Sequence, residues 1–427
     1  MKSDKAYKNT STLSTTLSLG YFLASRQLRR TSFWTTGLIV FIMTLTFLNL
    51  VVINGILVGL IVGSSNAYRA QYSADILIAS RTEKVHIEKT QQITSIIETL
   101  PDVVSYTPRY LVGGKIQSDY KKTRKPDILA DEAGAQVAGI DPEKEDAVTG
   151  LSHLLKFGEY LTEKDTDSIL IGKSLLSQYS QGDFAGTGTV DGVQVGSRVL
   201  LKIGDVTHEV TVKGVLGSKI DTVDRRIFMT SRELVRLIGR DEANADEIAV
   251  KIRPGVTPEK VKADLVKSGV SQWALVQTWE ESQGSFFKQI TQTFSALGSM
   301  IGLIGLAVAS ITIFIVIFIN AVTRKRYIGI LKGIGIRPAA IEFSYILISL
   351  FYATVGTLIG LGLLYFFLKP FFDVHPIDFP FSDGILVAEP LETGIRVLLI
   401  MITTIIAGYI PARNIIKKNT LDSILGR

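Results

Sequence analysis

Residues 323–341 read TRKRYIGILKGIGIRPAAI, and this stretch decides the reading of the whole chain. It opens on Arg324, Lys325 and Arg326 and carries Lys332 and Arg337 further on. Among these charges stand Ile328, Ile330, Leu331, Ile334 and Ile336, an apolar set that an ordinary polar turn does not need. At helical spacing Tyr327, Leu331 and Ile334 share one face, with Ile330 beside them. On either side lies a long stretch poor in charge, one between Lys288 and Arg324 and one between Glu342 and Lys369. About 20 apolar residues cross the roughly 30 Å hydrocarbon core as a helix, so both flanks are membrane spans and the stretch between them is a short loop.

Two further stretches extend the pattern. A long apolar run covers about 33–63, and a shorter one centred on 397–410 borrows 391–395 across Arg396, an arginine placed to snorkel to the interface. The early run is too long for the apolar part of a cleaved signal and is read as an uncleaved first span. Charges at the span ends set the orientation. Arg26, Arg29 and Arg30 precede the first span, and Arg413, Lys417 and Lys418 follow the fourth. The loop between the third and fourth spans carries Asp373, Asp378, Asp383, Glu389 and Glu392 instead. By the positive-inside rule both termini and the 324–341 loop are cytoplasmic, in a multi-pass protein of the cell membrane. The expected order is a cytoplasmic segment 1–32, spans at 33–63, 291–323, 342–368 and 396–412, an extracytoplasmic domain 64–290, an extracytoplasmic loop 369–395 and a cytoplasmic tail 413–427.

Gly55, Gly59 and Gly63 recur at every fourth position, as do Gly298 and Gly302, and Gly356 and Gly360. Glycine on one helix face lets backbones approach closely in lipid, where dispersion holds helices together. Such faces serve packing inside one subunit or, most plausibly through the first span, contact between subunits. No span carries an ionisable residue near its middle, and Asn49 and Asn54 are the main polar groups. That argues against a proton or ion relay, which needs buried acids, bases or histidines.

Residues 64–290 read as an α/β domain. Strand-like 74–79, helical 87–100 closed by Pro101, and strand-like 103–108 form one β-α-β unit. Strand-like 247–252, a helix over 257–267 opened by Thr257-Pro258, and strand-like 274–278 form another. The two units are expected to pair into one layered subdomain around a mainly β insert at about 141–240. Inside the insert, 193–203 and 208–216 flank Gly204-Asp205 as a hairpin. The basic run 121–125 (KKTRK) is read as a solvated loop.

The 427 residues have a net charge of +6 and no cysteine, and a mean hydropathy of +0.29. The positive hydropathy points to a membrane protein, and the lack of cysteine excludes disulfides and cysteine metal sites. The basic residues lack the interleaved aromatics of a nucleic-acid groove, so no nucleic-acid partner is expected. Ile171-Gly172-Lys173-Ser174 imitates the tail of a phosphate-binding loop, but Asp167 stands where its first glycine belongs. Gly186-Thr187-Gly188 is a turn signal. His86, His153, His208 and His375 show no metal-ligand spacing to one another or to an acidic cluster, and Asp165 and Asp167 lie in ordinary loop sequence. No nucleophile motif stands out. No catalytic, cofactor-binding or metal residue is expected on this chain.

The loop Arg324-Lys325-Arg326-Tyr327-Ile328-Gly329-Ile330-Leu331-Lys332-Gly333-Ile334-Gly335 resembles that of the FtsX-like permease superfamily of ABC transporters. So do Gly408-Tyr409-Ile410-Pro411-Ala412-Arg413 and the closing Thr420-Leu421-Asp422-Ser423-Ile424-Leu425. Within the superfamily, Val137-Ala138-Gly139-Ile140-Asp141-Pro142, Gly158-Glu159-Tyr160-Leu161 and Ile169-Leu170-Ile171-Gly172-Lys173 look like the lipoprotein-release and macrolide-export permeases. Tyr327 departs from the family's usual Glu, and Ile346 and Leu347 stand where a Glu is common early in the third span.

The resemblance implies a permease subunit coupled through Arg324, Arg326, Tyr327, Ile328, Gly329, Ile330, Leu331, Gly333 and Gly335 to a cytoplasmic ABC ATPase dimer. ATP and Mg would sit on that partner. It also implies a second permease subunit, identical or related, membrane lipids as surroundings, a periplasmic adaptor as a further partner, and a lipophilic cargo: lipoprotein, lipid, peptide or drug. The same machine used to activate a cell-wall hydrolase is the alternative implied.

Overall fold

The computed structural model describes residues 3–120, 131–179, 188–240, 244–379 and 382–417. It divides into a helical unit, Met1–Leu60 with Thr291–Ile377 and Gly384–Arg427, and a sheet unit, Ile61–Ile290 with Asp378–Asp383. The basic run at 121–125, the turn residues Gly186 and Thr187, Lys418 and the closing 420–425 segment lie outside the described residues.

Among the described residues, four helices are long and apolar enough to cross a membrane: Phe33–Ser73, Lys288–Thr323, Pro338–Val374 and Pro390–Ile416. The first runs past its expected end at 63, and its polar last turns belong to the sheet unit. The fourth starts earlier than 396. Pro390 opens it at the first turn, where a missing N–H costs nothing, and Arg396 is accommodated by Glu392 one turn back at 3.0 Å. The 1–32 segment, assigned no structure from sequence, forms a helix, Ser3–Arg30, whose Ala24 is buried in the helical core with Met43, Phe47, Ile317, Tyr345 and Ala407.

In the sheet unit ten strands run in the order β10-β1-β9-β2-β3-β8-β5-β7-β4, with β6 bridging β2 and β7. They are β1 Ile76–Ala79, β2 Val103–Gln117, β3 Glu132–Ile140, β4 Leu155–Gly158, β5 Ser168–Gly172, β6 Arg198–Ile203, β7 Val206–Leu216, β8 Arg226–Thr230, β9 Glu247–Ile252 and β10 Leu275–Thr278. The helices used below are α1 Thr90–Thr99, α2 Pro142–Thr149, α3 Ser231–Leu237 and α4 Pro258–Lys267. β1 and β2 both pair antiparallel with β9, while β9 and β10 both pair antiparallel with β1. The two β-α-β units are therefore split and interleaved, and α1 and α4 bury Ile93, Ile97, Val261 and Leu265 against Ile76 and Ile78.

The hairpin β6–β7 turns on Gly204-Asp205, with Ile203 opposite Val206 and Gly204 at φ +54. The β insert begins earlier than 141. Its sheet includes all of β3, and β2 is long enough to serve both subdomains: Val103–Arg109 pairs with β9, Tyr110–Gln117 with β3. β3 reads EAGAQVAGI, whose small residues give no alternation of large apolar side chains to mark it as a strand.

Candidate coupling site

The basic loop folds as a helix, Lys325–Gly333, closed by a Schellman turn. Ile336 N–H donates to the Leu331 carbonyl at 3.0 Å and Gly335 N–H to that of Lys332 at 3.0 Å, with Gly335 at φ +91. A side chain at 335 would be strained there, which accounts for the glycine. Pro338 then starts the third span. The helix does not expose one continuous apolar stripe. Ile328 and Leu331 are 3% and 8% exposed and pack into the helical core, whereas Tyr327, Ile330 and Ile334 are 48%, 47% and 71% exposed. Leu331, expected on the same face as Tyr327 and Ile334, thus turns inward, and Ile334 lies beyond the helix end. Gly329 is buried, Gly333 borders open space, Arg324 is half-buried and Arg326 exposed. Lys332 Nζ donates to the Ile416 carbonyl at 2.9 Å, a cation on the open C-terminal end of the fourth helix. Pro411 and Ala412 are buried on that helix, and exposed Arg413 donates to the Tyr409 hydroxyl at 2.8 Å.

Most of the span glycines face neighbours within the chain. A Cβ on Gly55 would stand 2.6 Å from the Val387 carbonyl oxygen, and one on Gly59 only 1.7 Å from that of Ile385. Gly356 and Gly360 abut Met43 and Phe47 of the first span. Gly298 faces Asn54, Gly302 faces Leu50 and Gly305 faces Asn49, so the two asparagines noted in sequence border the second span. Gly63 is half-buried.

The sheet unit shows why several motif residues are needed. Asp141 caps α2, accepting from Lys144 N–H at 3.2 Å, and Gly139 makes room for Leu234 and Ser231 of α3. Gly158, at φ +88, lies against the Lys213 backbone. Gly172 abuts the Asp224 backbone, and Lys173 is committed to Asp224 at 3.1 Å and to the Ser218 carbonyl at 2.8 Å. This lysine has no phosphate-loop geometry around it.

Two groupings were not legible in sequence. His208 Nε2 lies 2.6 Å from Asp167 Oδ1 and 3.9 Å from Glu233 Oε1, and Asp167 N–H donates to Glu233 Oε1 at 2.7 Å. These three could hold a metal ion, so the expectation that no histidine meets an acidic cluster is corrected. Arg236, 3.7 Å from Glu233, already supplies positive charge there.

The second grouping is a buried ion cluster where the first-span helix ends. Arg109 on β2 holds Glu145 of α2 through Nη2 at 2.7 Å and Nε at 2.9 Å, and Glu247 of β9 at 3.1 Å. Arg226 on β8 also reaches Glu247, at 3.0 Å. Tyr72 donates its hydroxyl to Glu247 at 2.7 Å, while its carbonyl accepts from Arg109 at 2.8 Å. Burial pushes the Glu247 carboxyl up, but Arg226 and Arg109 pull it down further, to about 2. Two arginines and two glutamates balance, which is what permits such burial.

A helical unit of four membrane-length helices, interrupted after the first by a large sheet domain and carrying a basic, partly apolar loop before the third, defines a membrane permease of the FtsX-like class. Residues 38–268 match the MacB-like periplasmic core domain and residues 299–420 the FtsX-like permease C-terminal domain. The first match spans more than half of the chain, which therefore belongs to the MacB-like family of ABC transporter permeases. Among similar proteins is a macrolide export ATP-binding/permease protein MacB of Agrobacterium fabrum, 26% identical over 197 residues, covering 44% of this chain and 28% of the relative. An uncharacterized ABC transporter permease protein of Mycobacterium tuberculosis is 23% identical over 249 residues, 54% of this chain and 25% of the relative. The match thus spans little more than a quarter of the length of these relatives. Among solved structures, the periplasmic region of MacB from Actinobacillus actinomycetemcomitans aligns at a TM-score of 0.34 and 16% identity, over 50% of this chain and 93% of that one. The extracellular domain of the noncanonic ABC-type transporter YknZ from Gram-positive bacteria aligns at 0.30 and 13%, over 48% and 98%.

Proposed function

We propose that this chain works as the permease subunit of an ABC transporter in which a separate cytoplasmic ATPase dimer acts on the Lys325–Gly333 helix. The motion would pass through the spans to the sheet unit and export or extract a lipophilic or amphipathic substrate. Both termini and the 324–341 loop face the cytoplasm in this reading, on the strength of the basic span ends. A second permease subunit completes the complex, and a periplasmic adaptor is a further partner. The names of the relatives suggest a macrolide-like drug as one cargo to try, beside lipoproteins, lipids and peptides. ATP and Mg belong to the partner.

The observation that carries the reading is the split helix: Ile328 and Leu331 anchor it in the bundle while Tyr327, Ile330 and Ile334 are left uncovered among basic residues. An anchored helix with an uncovered apolar edge suits a partner groove that pushes on it. Ile330→Asp alters the uncovered edge alone and should abolish transport-linked ATP hydrolysis in reconstituted vesicles while the protein still inserts. Leu331→Asp would also damage the bundle, so Ile330 is the decisive position. Normal transport by Ile330→Asp would remove the assignment.

A further inference from the structure

Beneath the inward side of the Lys325–Gly333 helix lies a cavity of about 180 Å³, well above the ~10–15 Å³ that seats one water. Arg26 and Arg30 of the N-terminal helix and Arg324 line it, and among the described residues no carboxylate does. Arg26 and Arg30 are one turn apart, so they present to the same side. Gln27, Ser344 and Tyr345 add polar groups. Tyr327 also borders it, and the rest of the wall is apolar, from Leu23, Ile328, Leu331 and Ile341.

The cavity lies at the level where spans end. Arg30 stands three residues before the first span, Arg324 directly follows the second, and Ile341 sits in the opening turn of the third. Phe33 and Trp34, which open the first span, are 84% and 85% exposed, as interfacial aromatics at headgroup depth are. An unneutralised cluster of arginines at that depth attracts phosphate, and the apolar part of the wall suits a glycerol backbone and the first acyl carbons.

We propose that this cavity binds the phosphate headgroup of an anionic phospholipid. Arg26, Arg30 and Arg324 hold the phosphate, and Leu23, Ile328 and Ile341 cover the chain side. A free anion or an acidic peptide would leave those apolar walls unused. Ile330 and Ile334 do not line the cavity, so a bound lipid leaves these two free for the ATPase, while Tyr327 borders both contacts. The assignment of the inner leaflet rests on the orientation proposed above; the binding chemistry does not.

The test is native mass spectrometry of the full-length protein in mild detergent, delipidated and then titrated with phosphatidylglycerol or with phosphatidylcholine of the same chains. Phosphatidylglycerol should be retained preferentially. Each arginine changed to Gln should weaken it roughly fivefold, and Arg26→Gln, Arg30→Gln and Arg324→Gln together on the order of a hundredfold. Lysine at all three positions should keep most of the preference. Equal retention of both lipids, or an unchanged affinity in the triple Gln variant, would overturn the proposal. So would displacement by inorganic phosphate, which would mark a free-anion site, or release on adding the ATPase, which would mark a protein segment as the occupant. The titration needs no ATPase. Failure here would leave the coupling role of Ile330 standing, and normal transport by Ile330→Asp would leave the lipid site standing.

Discussion

The helix Phe33–Ser73 is held by opposite means at its two ends. In the helical unit it meets its neighbours through glycines: Gly55 and Gly59 abut the 385–387 backbone, and Met43 and Phe47 fill the space left by Gly356 and Gly360. Where it enters the sheet unit, Tyr72 joins two arginines and two glutamates that are almost wholly buried. The difference follows from solvent. Lipid tails give helices no hydrophobic reason to associate, so close backbone approach has to supply the attraction. A charge removed from water is tolerable only among partners, and the sheet unit has strands enough to bring four charges together. One end depends on absent side chains, the other on a complete set of present ones.

Breaking the charged end should have the larger effect. Arg109→Met leaves Glu145 without its counter-charge and Glu247 with Arg226 alone, and removal of one partner of such a set costs about 3–5 kcal/mol. Urea unfolding followed by the fluorescence of Trp273 and Trp279, both in the sheet unit, would show it. A loss below about 1 kcal/mol would mean that the cluster is not what holds this end.

The pH dependence sharpens the contrast, because two buried carboxylates of the sheet unit are pushed in opposite directions. Glu247 is held at about 2, so its contribution is fully present above the ordinary Glu value of 4.5 and is lost as pH falls toward 2. Asp224 is raised by burial to about 6, against the opposing pull of Ser218 N–H and Lys173. Its contribution is fully present below 3.8 and is lost as pH rises through 6, by up to about 3 kcal/mol. These two groups alone give a stability maximum near pH 4. Asp224→Asn should remove the decline between pH 4 and 6 and raise stability at pH 7. A profile with the same decline in the variant would sink the assignment.

At the glycine end the expected change is smallest. Gly59→Leu must displace the Ile385 carbonyl, an overpacking that costs about 1–3 kcal/mol. Gly362, whose Cβ would meet nothing within 4 Å, is the control, and Gly362→Ala should be neutral or slightly stabilising. Thermal unfolding in detergent that failed to separate the two variants would show that backbone approach does not hold this end.

How much was legible depends on how local the signal is. A span needs an unbroken apolar run, and a hairpin needs alternation around a turn such as Gly204-Asp205; both are properties of adjacent residues, and both stood in the sequence. The two β-α-β units were legible in the same way, through α1 and α4 with their apolar faces, but their interleaving was not. The basic, apolar 324–337 stretch also showed itself as a loop in need of a cover. Only the tertiary structure decided that Leu331 faces inward while Ile330 does not, because the bundle rather than helical periodicity chooses the buried side. It alone decided that β3 exists, that Asp167 and Glu233 meet His208, and that Arg109 reaches Glu145 across 36 residues and Glu247 across 138. Pairing at that distance is a consequence of which strands lie side by side, and no pattern of neighbours along the chain encodes it.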